Sequence, residues 1–162
     1  MILDFINSIR KNHALEHATV SLLLSKLKPG SRLMGRATTN GFYIYGDVPD
    51  EKVLEAAEEA LVRLKQGEHN LAVSPFCGTN LAVAAILAGL ASMSAMRGSK
   101  ETNRLPNVLL AALTAVVAAQ PLGRLTQKYL TTSADVDDID IAAVTSTRKG
   151  KHTRHKITTL RG

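Results

Sequence analysis

Two stretches of 18 residues, 79–96 (TNLAVAAILAGLASMSAM) and 105–122 (LPNVLLAALTAVVAAQPL), contain no charged side chain and are separated only by the link RGSKETNR. A helix that crosses a bilayer needs about 20 predominantly apolar residues, with a range of ~17 to 25. The short link makes the pair an antiparallel transmembrane hairpin, so most of the remaining chain must form whatever lies outside the lipid. The competing reading is a pair of buried core helices in a soluble bundle. Small residues such as Ala84, Ala88, Gly89 and Ala91 in the first stretch, and Ala111, Ala115 and Ala118 in the second, allow close helix approach in lipid. That favours tight packing within the hairpin or between copies of the chain. Pro106 is tolerated near a helix start, whereas Pro121 predicts where the second helix stops.

Basic residues set the expected orientation. Arg10, Lys11, Lys26, Lys28, Arg32 and Arg36 precede the hairpin, and Arg124, Lys128, Arg148, Lys149, Lys151, Arg154, Lys156 and Arg161 follow it. The link carries only Arg97, Lys100 and Arg104, so the positive-inside tendency puts both termini in the cytoplasm of an inner-membrane, multi-pass protein. The opening MILDFINSIRKN lacks the basic start and long apolar run of a cleavable signal. A single cysteine excludes an intrachain disulfide and agrees with a reducing compartment. The net charge of +6 is concentrated in RKGKHTRHKITTLRG, where no aromatic residues interleave and no nucleic-acid motif occurs. Anionic lipid headgroups are therefore the expected contact of this segment, with a merely solvated tail as the alternative.

Outside the hairpin the pattern is α+β, a small soluble domain of sheet and helices into which the membrane hairpin is inserted. The expected partition is 1–76, 77–123 for the hairpin, and 124–162. A first helix is expected over 2–27, ending at Lys28-Pro29-Gly30. SRLMGRATTNGFYIYGDV reads as a β-hairpin about Asn40-Gly41, a dipeptide favoured in type I′ turns. A second helix over 49–66 has Val53, Leu54, Ala57, Ala60, Leu61 and Leu64 on its apolar side, with Asp47 or Asp50 as cap. A strand is expected at 70–74. VDDIDIAAVTST and HTRHKITTL read as two more strands that return to the same sheet, the alternative being a disordered tail after Tyr129.

Chemistry enters through the first helix. At helical spacing Ile2, Ile6, Ile9, Val20, Leu24 and Leu27 form one stripe, with His13 and His17 near its centre and Glu16 at its edge. Imidazoles and a carboxylate withdrawn from water need partners. His-x-x-Glu-His is the inverted zincin spacing, in which both histidines bind zinc and the glutamate activates water. Cys77, in SPFCGTN before a membrane helix, is the competing third ligand, because a helix start favours a thiolate. It can equally pair with a histidine as a nucleophile, or be a small buried residue. Glu51, Glu55, Glu58, Glu59 and Glu68 are the carboxylates available downstream, and Asn80 can hydrogen-bond to the same cluster. His69, His152 and His155 read as surface residues. The alternative to a metal is a hydrogen-bonded His13, Glu16 and His17 cluster that fixes how the helix docks.

NHALEHATV, a soluble α/β segment, a CGTNL turn and two hydrophobic helices together resemble an uncharacterised family of small bacterial two-span membrane proteins with a His-Ala-Leu-Glu-His-Ala signature. The resemblance implies a fold and a membrane placement, and no activity. In that family a histidine often precedes the Pro-x-Cys-Gly turn, where this chain has Ser74. Two functions follow as expectations. One is a zinc-dependent hydrolase with His13, His17 and Cys77 on the metal and Glu16 as base. The other is a non-catalytic accessory or assembly subunit of a larger membrane complex, or a homo-oligomer, with the cluster structural.

Overall fold

Alternation and turn chemistry dictate a sheet that the chain builds from both of its ends. In a computed structural model, which describes residues 2–98, 104–149 and 152–162, β1 (Met34–Thr38) and β2 (Gly41–Tyr45) form the expected hairpin, and β3 (Ile139–Lys149) and β4 (His152–Arg161) form a second one. The order β1-β2-β4-β3 is antiparallel throughout, with Phe42 opposite Ile157 and Ile44 opposite His155. The turn departs from the expected type I′, which needs positive φ at non-glycine Asn40. Among the described residues only glycines have positive φ, and here it is Gly41, at +125°. A Cβ on Gly41 would also lie 2.0 Å from the Ile157 carbonyl oxygen, so both backbone angle and strand approach require glycine.

Two helices cover one face of this sheet, α1 (Ile2–Lys26) and α2 (Asp50–Lys65). α2 buries Val53, Ala56, Ala57, Ala60, Leu61 and Leu64, close to the predicted stripe, against a core that includes Phe42, Ile44 and Ile157. α1 differs from expectation. Its core-facing residues are Ala14, Leu15, Ala18, Leu22 and Leu23, while Ile2 and Ile6 are exposed and Ile9, Val20 and Leu24 are half-buried. Only the C-terminal part of the predicted stripe meets the core, where half-buried Val20 and Leu27 pack against it. The expected strand at 70–74 is instead a 3₁₀ turn, His69–Ala72. It lies outside the four-stranded sheet, whose edge strands are β1 and β3.

These elements make one unit, Met1–Ser74 with Lys128–Gly162; the other is Pro75–Gln127. The second contains α3 (Gly78–Gly98) and α4 (Arg104–Thr126), which a π-helical turn, Gln127–Thr131, continues. Both are long and apolar enough to cross a membrane. At 1.5 Å per residue, the 21 residues of α3 reach about 31 Å. Among the described residues of these two helices only Asn80, Ala119 and Gly123 are buried, while Leu81, Leu105 and Val117 are largely exposed. Helices in a soluble core would show the reverse. α4 also runs past Pro121, so the helix does not stop where that proline was expected to end it. Within this unit, Gln127 Nε2 donates to Asn80 Oδ1 at 2.7 Å, and Asn80 Nδ2 donates to the Pro75 carbonyl at 3.0 Å. Gly123 makes room for that amide: a Cβ there would lie 2.2 Å from Asn80 Oδ1.

Candidate metal centre

One turn of α1 separates His13 from His17, so both rings leave the same side of the helix. Their centroids are 4.3 Å apart with planes inclined at 58°. His13 Nδ1 lies 2.9 Å from the Thr131 carbonyl oxygen and His17 Nδ1 lies 2.9 Å from that of Ala72. A carbonyl only accepts, so Nδ1 carries the proton in each ring and the lone pair is on Nε2. Holding Nδ1–H on a backbone carbonyl is the way proteins orient histidines for metal binding through Nε2.

Glu16 completes the constellation from the first unit. Its side chain is buried, and one carboxylate oxygen lies 3.8 Å from His13 Nε2, longer than a hydrogen bond. β1 accommodates it with Gly35, where a Cβ would lie 1.8 Å from Glu16 Oε1. Polar neighbours hold this stretch of α1 in register. Asn12 Nδ2 donates to the Thr38 and Thr39 carbonyls, and Asn12 Oδ1 accepts from Thr159 at 2.9 Å. Lys11 pairs with Asp138 at 2.6 Å and holds that carboxyl below its usual range.

Cys77 lies three residues beyond Ser74, immediately before α3. Its sulfur accepts from the Thr79 N–H at 3.4 Å, and unpaired amides at a helix start favour negative charge on it. His13 and His17 belong to the first unit and Cys77 to the second, and each side chain is a donor of the type that binds metal ions. The downstream carboxylates are committed elsewhere or face outward. Glu55 and Glu59 bind Lys26, Glu68 binds Arg63, and Glu51 and Glu58 are exposed.

Residues 8–144 match the family described as Domain of unknown function (DUF6391). The chain belongs to it. The DUF6391 match takes in His13, Glu16, His17 and Cys77 as well as both apolar helices, and it ends within β3. The chain is also 39% identical over 135 residues to an uncharacterized protein of Picosynechococcus sp. (strain ATCC 27264 / PCC 7002 / PR-6), covering 77% of this chain and 66% of that protein. It thus spans just under two thirds of that relative's length. No solved structure matches.

Three features of this DUF6391 chain escaped its sequence. His155, expected at the surface, is fully buried: β4 points it at α2, where Nδ1 lies 2.7 Å from Asp50 Oδ1, and Nε2 lies 3.3 Å from the Gly46 carbonyl. Asp50, expected as a helix cap, makes no cap hydrogen bond at the α2 start; the Ser146 hydroxyl donates to its second oxygen at 2.7 Å. Ser146 first, and then His155, hold the Asp50 carboxyl below its usual range. The basic segment, which has no aromatic residue of its own, gains one from β2: Arg154 and Lys156 lie 5.4 and 4.7 Å from the centre of the Tyr43 ring. The period-2 alternation of β4 was the available signal for His155, since it shares a face with Ile157. His69 is exposed as expected, and the His152 side chain lies outside the described residues.

Proposed function

We propose that this DUF6391 protein spans a membrane with α3 and α4 and holds zinc through His13, His17 and Cys77, with Glu16 as the proton acceptor for hydrolysis of an amide or ester. The pair of Nδ1–H tethers carries this reading, because it presents two imidazole lone pairs from adjacent turns of one helix. Two neutral imidazoles and a thiolate suit zinc, and three protein ligands leave the open position of a catalytic site. Zinc there supplies polarisation of the scissile carbonyl. Glu16 takes a proton from the attacking water as its oxygen bonds to the carbonyl carbon. The carboxyl then returns that proton to the departing nitrogen or oxygen, so the base is regenerated. The basic flanks orient both termini toward the cytoplasm.

Metal analysis of full-length protein purified in detergent tests this directly. One zinc per chain is expected in the wild type, with none retained by His17→Ala. Wild-type protein that holds no stoichiometric metal, and takes none up from a zinc-containing buffer, removes the proposal. The structural alternative has its own support, since the same tethers bind α1 to the 3₁₀ turn and to the segment after α4. It predicts a metal-free protein whose His13→Ala variant unfolds at a lower temperature.

A further inference from the structure

The apolar stripe of α1 does not end at the histidines. Ile2, Phe5, Ile6 and Ile9 follow the i, i+3, i+4, i+7 spacing of a single helix face, yet Ile2 is 75%, Phe5 57% and Ile6 45% exposed. Leu3 beside them is 74% exposed. The opposite side is polar, with Asp4, Asn7, Ser8 and Lys11. About two helical turns therefore project from the core with their apolar side uncovered. A contiguous apolar patch of this kind marks a contact surface.

What covers it follows from the contacts of Arg10. Its guanidinium donates to the Tyr129 carbonyl at 3.0 Å and to that of Thr132 at 3.1 Å, while its own carbonyl accepts from the Ser133 N–H at 3.0 Å. Tyr129 and Thr131 belong to the last turn of the 28-residue apolar helix Arg104–Thr131. Arg10, at the end of the exposed turns of α1, is thus tied within its own unit to residues 129–133, where Tyr129 and Leu130 are 64% and 68% exposed. Aromatic rings, basic side chains and an amphipathic helix at the end of a span are the composition of a bilayer interface.

We infer that residues 2–9 of α1 lie in the membrane interface as a third lipid contact, apolar face toward the acyl chains. This rests on the reading of α3 and α4 as membrane-spanning. The consequence for the candidate metal centre is a lipid-embedded approach along the helix that carries His13, which suits an amphipathic or membrane-bound substrate.

The chain contains no tryptophan, so Phe5→Trp in the full-length protein gives a single tryptophan, excited selectively at the red edge beyond its three tyrosines. Reconstituted into phosphatidylcholine vesicles, it should emit at shorter wavelength than the unfolded protein. Lipids brominated near the headgroup end of the acyl chain should quench it more than lipids brominated near the chain terminus. Leu113→Trp in α4 serves as the control and should be quenched most by the deeper bromines. Quenching of Leu113→Trp without quenching of Phe5→Trp overturns the inference alone, and so does a blue-shifted but unquenched Phe5→Trp, which means that protein covers the stripe. Quenching of neither overturns the membrane reading together with it.

Discussion

The histidine pair on α1 and His155 on β4 occupy opposite ends of one principle. His155 faces acceptors on both nitrogens, the Asp50 carboxylate and the Gly46 carbonyl, and the Ser146 hydroxyl closes the far side of that carboxylate. It is a joint between β4 and α2. In His13 and His17 a backbone carbonyl holds Nδ1, and Nε2 of each is the lone-pair nitrogen. Burial alone does not separate the two cases, because His17 and His155 are both buried. What separates these two is the chemistry on the second nitrogen: Nε2 of His155 lies 3.3 Å from the Gly46 carbonyl, whereas the Nδ1 tether of His17 puts its lone pair on Nε2.

If that contrast is right, the largest effect is on metal content. His17→Ala should lower zinc per chain by more than the roughly 10- to 100-fold affinity loss caused by removing an outer partner of a ligand, whereas His155→Ala should leave it unchanged. Equal losses measured by mass spectrometry of the two purified variants would erase the distinction. Stability should respond in the opposite sense to His155→Phe, which strands Asp50 and the Gly46 carbonyl and should cost about 1–3 kcal/mol in denaturant unfolding without altering the zinc content.

Gly35→Ala sharpens the view of Glu16. The added Cβ must displace the carboxylate, at a cost of about 1–2 kcal/mol, and adding Glu16→Ala should recover most of it; additive losses in the double variant would show that the contact is not what strains Gly35→Ala. The smallest effect is acid sensitivity at the His155 joint. Ser146 and His155 hold the Asp50 carboxyl below its ordinary value of 3.8, so its contribution is full above that pH and fades as pH falls through the lower folded value. Asp50 is 45% exposed, and solvent screening keeps the contribution under about 1 kcal/mol. The stability difference between wild type and Asp50→Asn should be constant near neutrality and shrink below about pH 4.

Local patterns carried the fold far. Helical spacing delivered the core face of α2, alternation delivered all four strands including the two that follow the hairpin, and absence of charge delivered the two long apolar helices. The failures share one cause, that a single chain pattern cannot say which neighbour will cover it. On α1 the core takes Ala14, Leu15, Ala18, Leu22 and Leu23, with Val20 and Leu27 of the predicted stripe packed beside them, while Ile2 and Ile6 of that stripe stay exposed. Residues 70–74 read as a strand but form a 3₁₀ turn outside the sheet. The Tyr43 beneath Arg154 and Lys156 comes from a strand more than a hundred positions earlier, so no local reading of the basic segment could include it. At the candidate centre, His13, Glu16, His17 and Cys77 were legible as residue types with the right spacing. The carbonyls of Ala72 and Thr131 that fix the imidazole tautomers were not, because backbone atoms carry no signature in sequence.

The strand order has a consequence for biogenesis. β4 is not an edge strand; it sits between β2 and β3, and β2 therefore waits for residues that emerge from the ribosome only after both apolar helices have been made. Until then the first hairpin has an open hydrogen-bonding edge, which is the kind of surface chaperones and proteases recognise. A ribosome that stops before Thr153 would release a protein with its apolar hairpin intact and its sheet split down the middle. Completion of the sheet-containing unit thus reports on completion of everything between, so that only chains carried through both apolar segments can close the sheet.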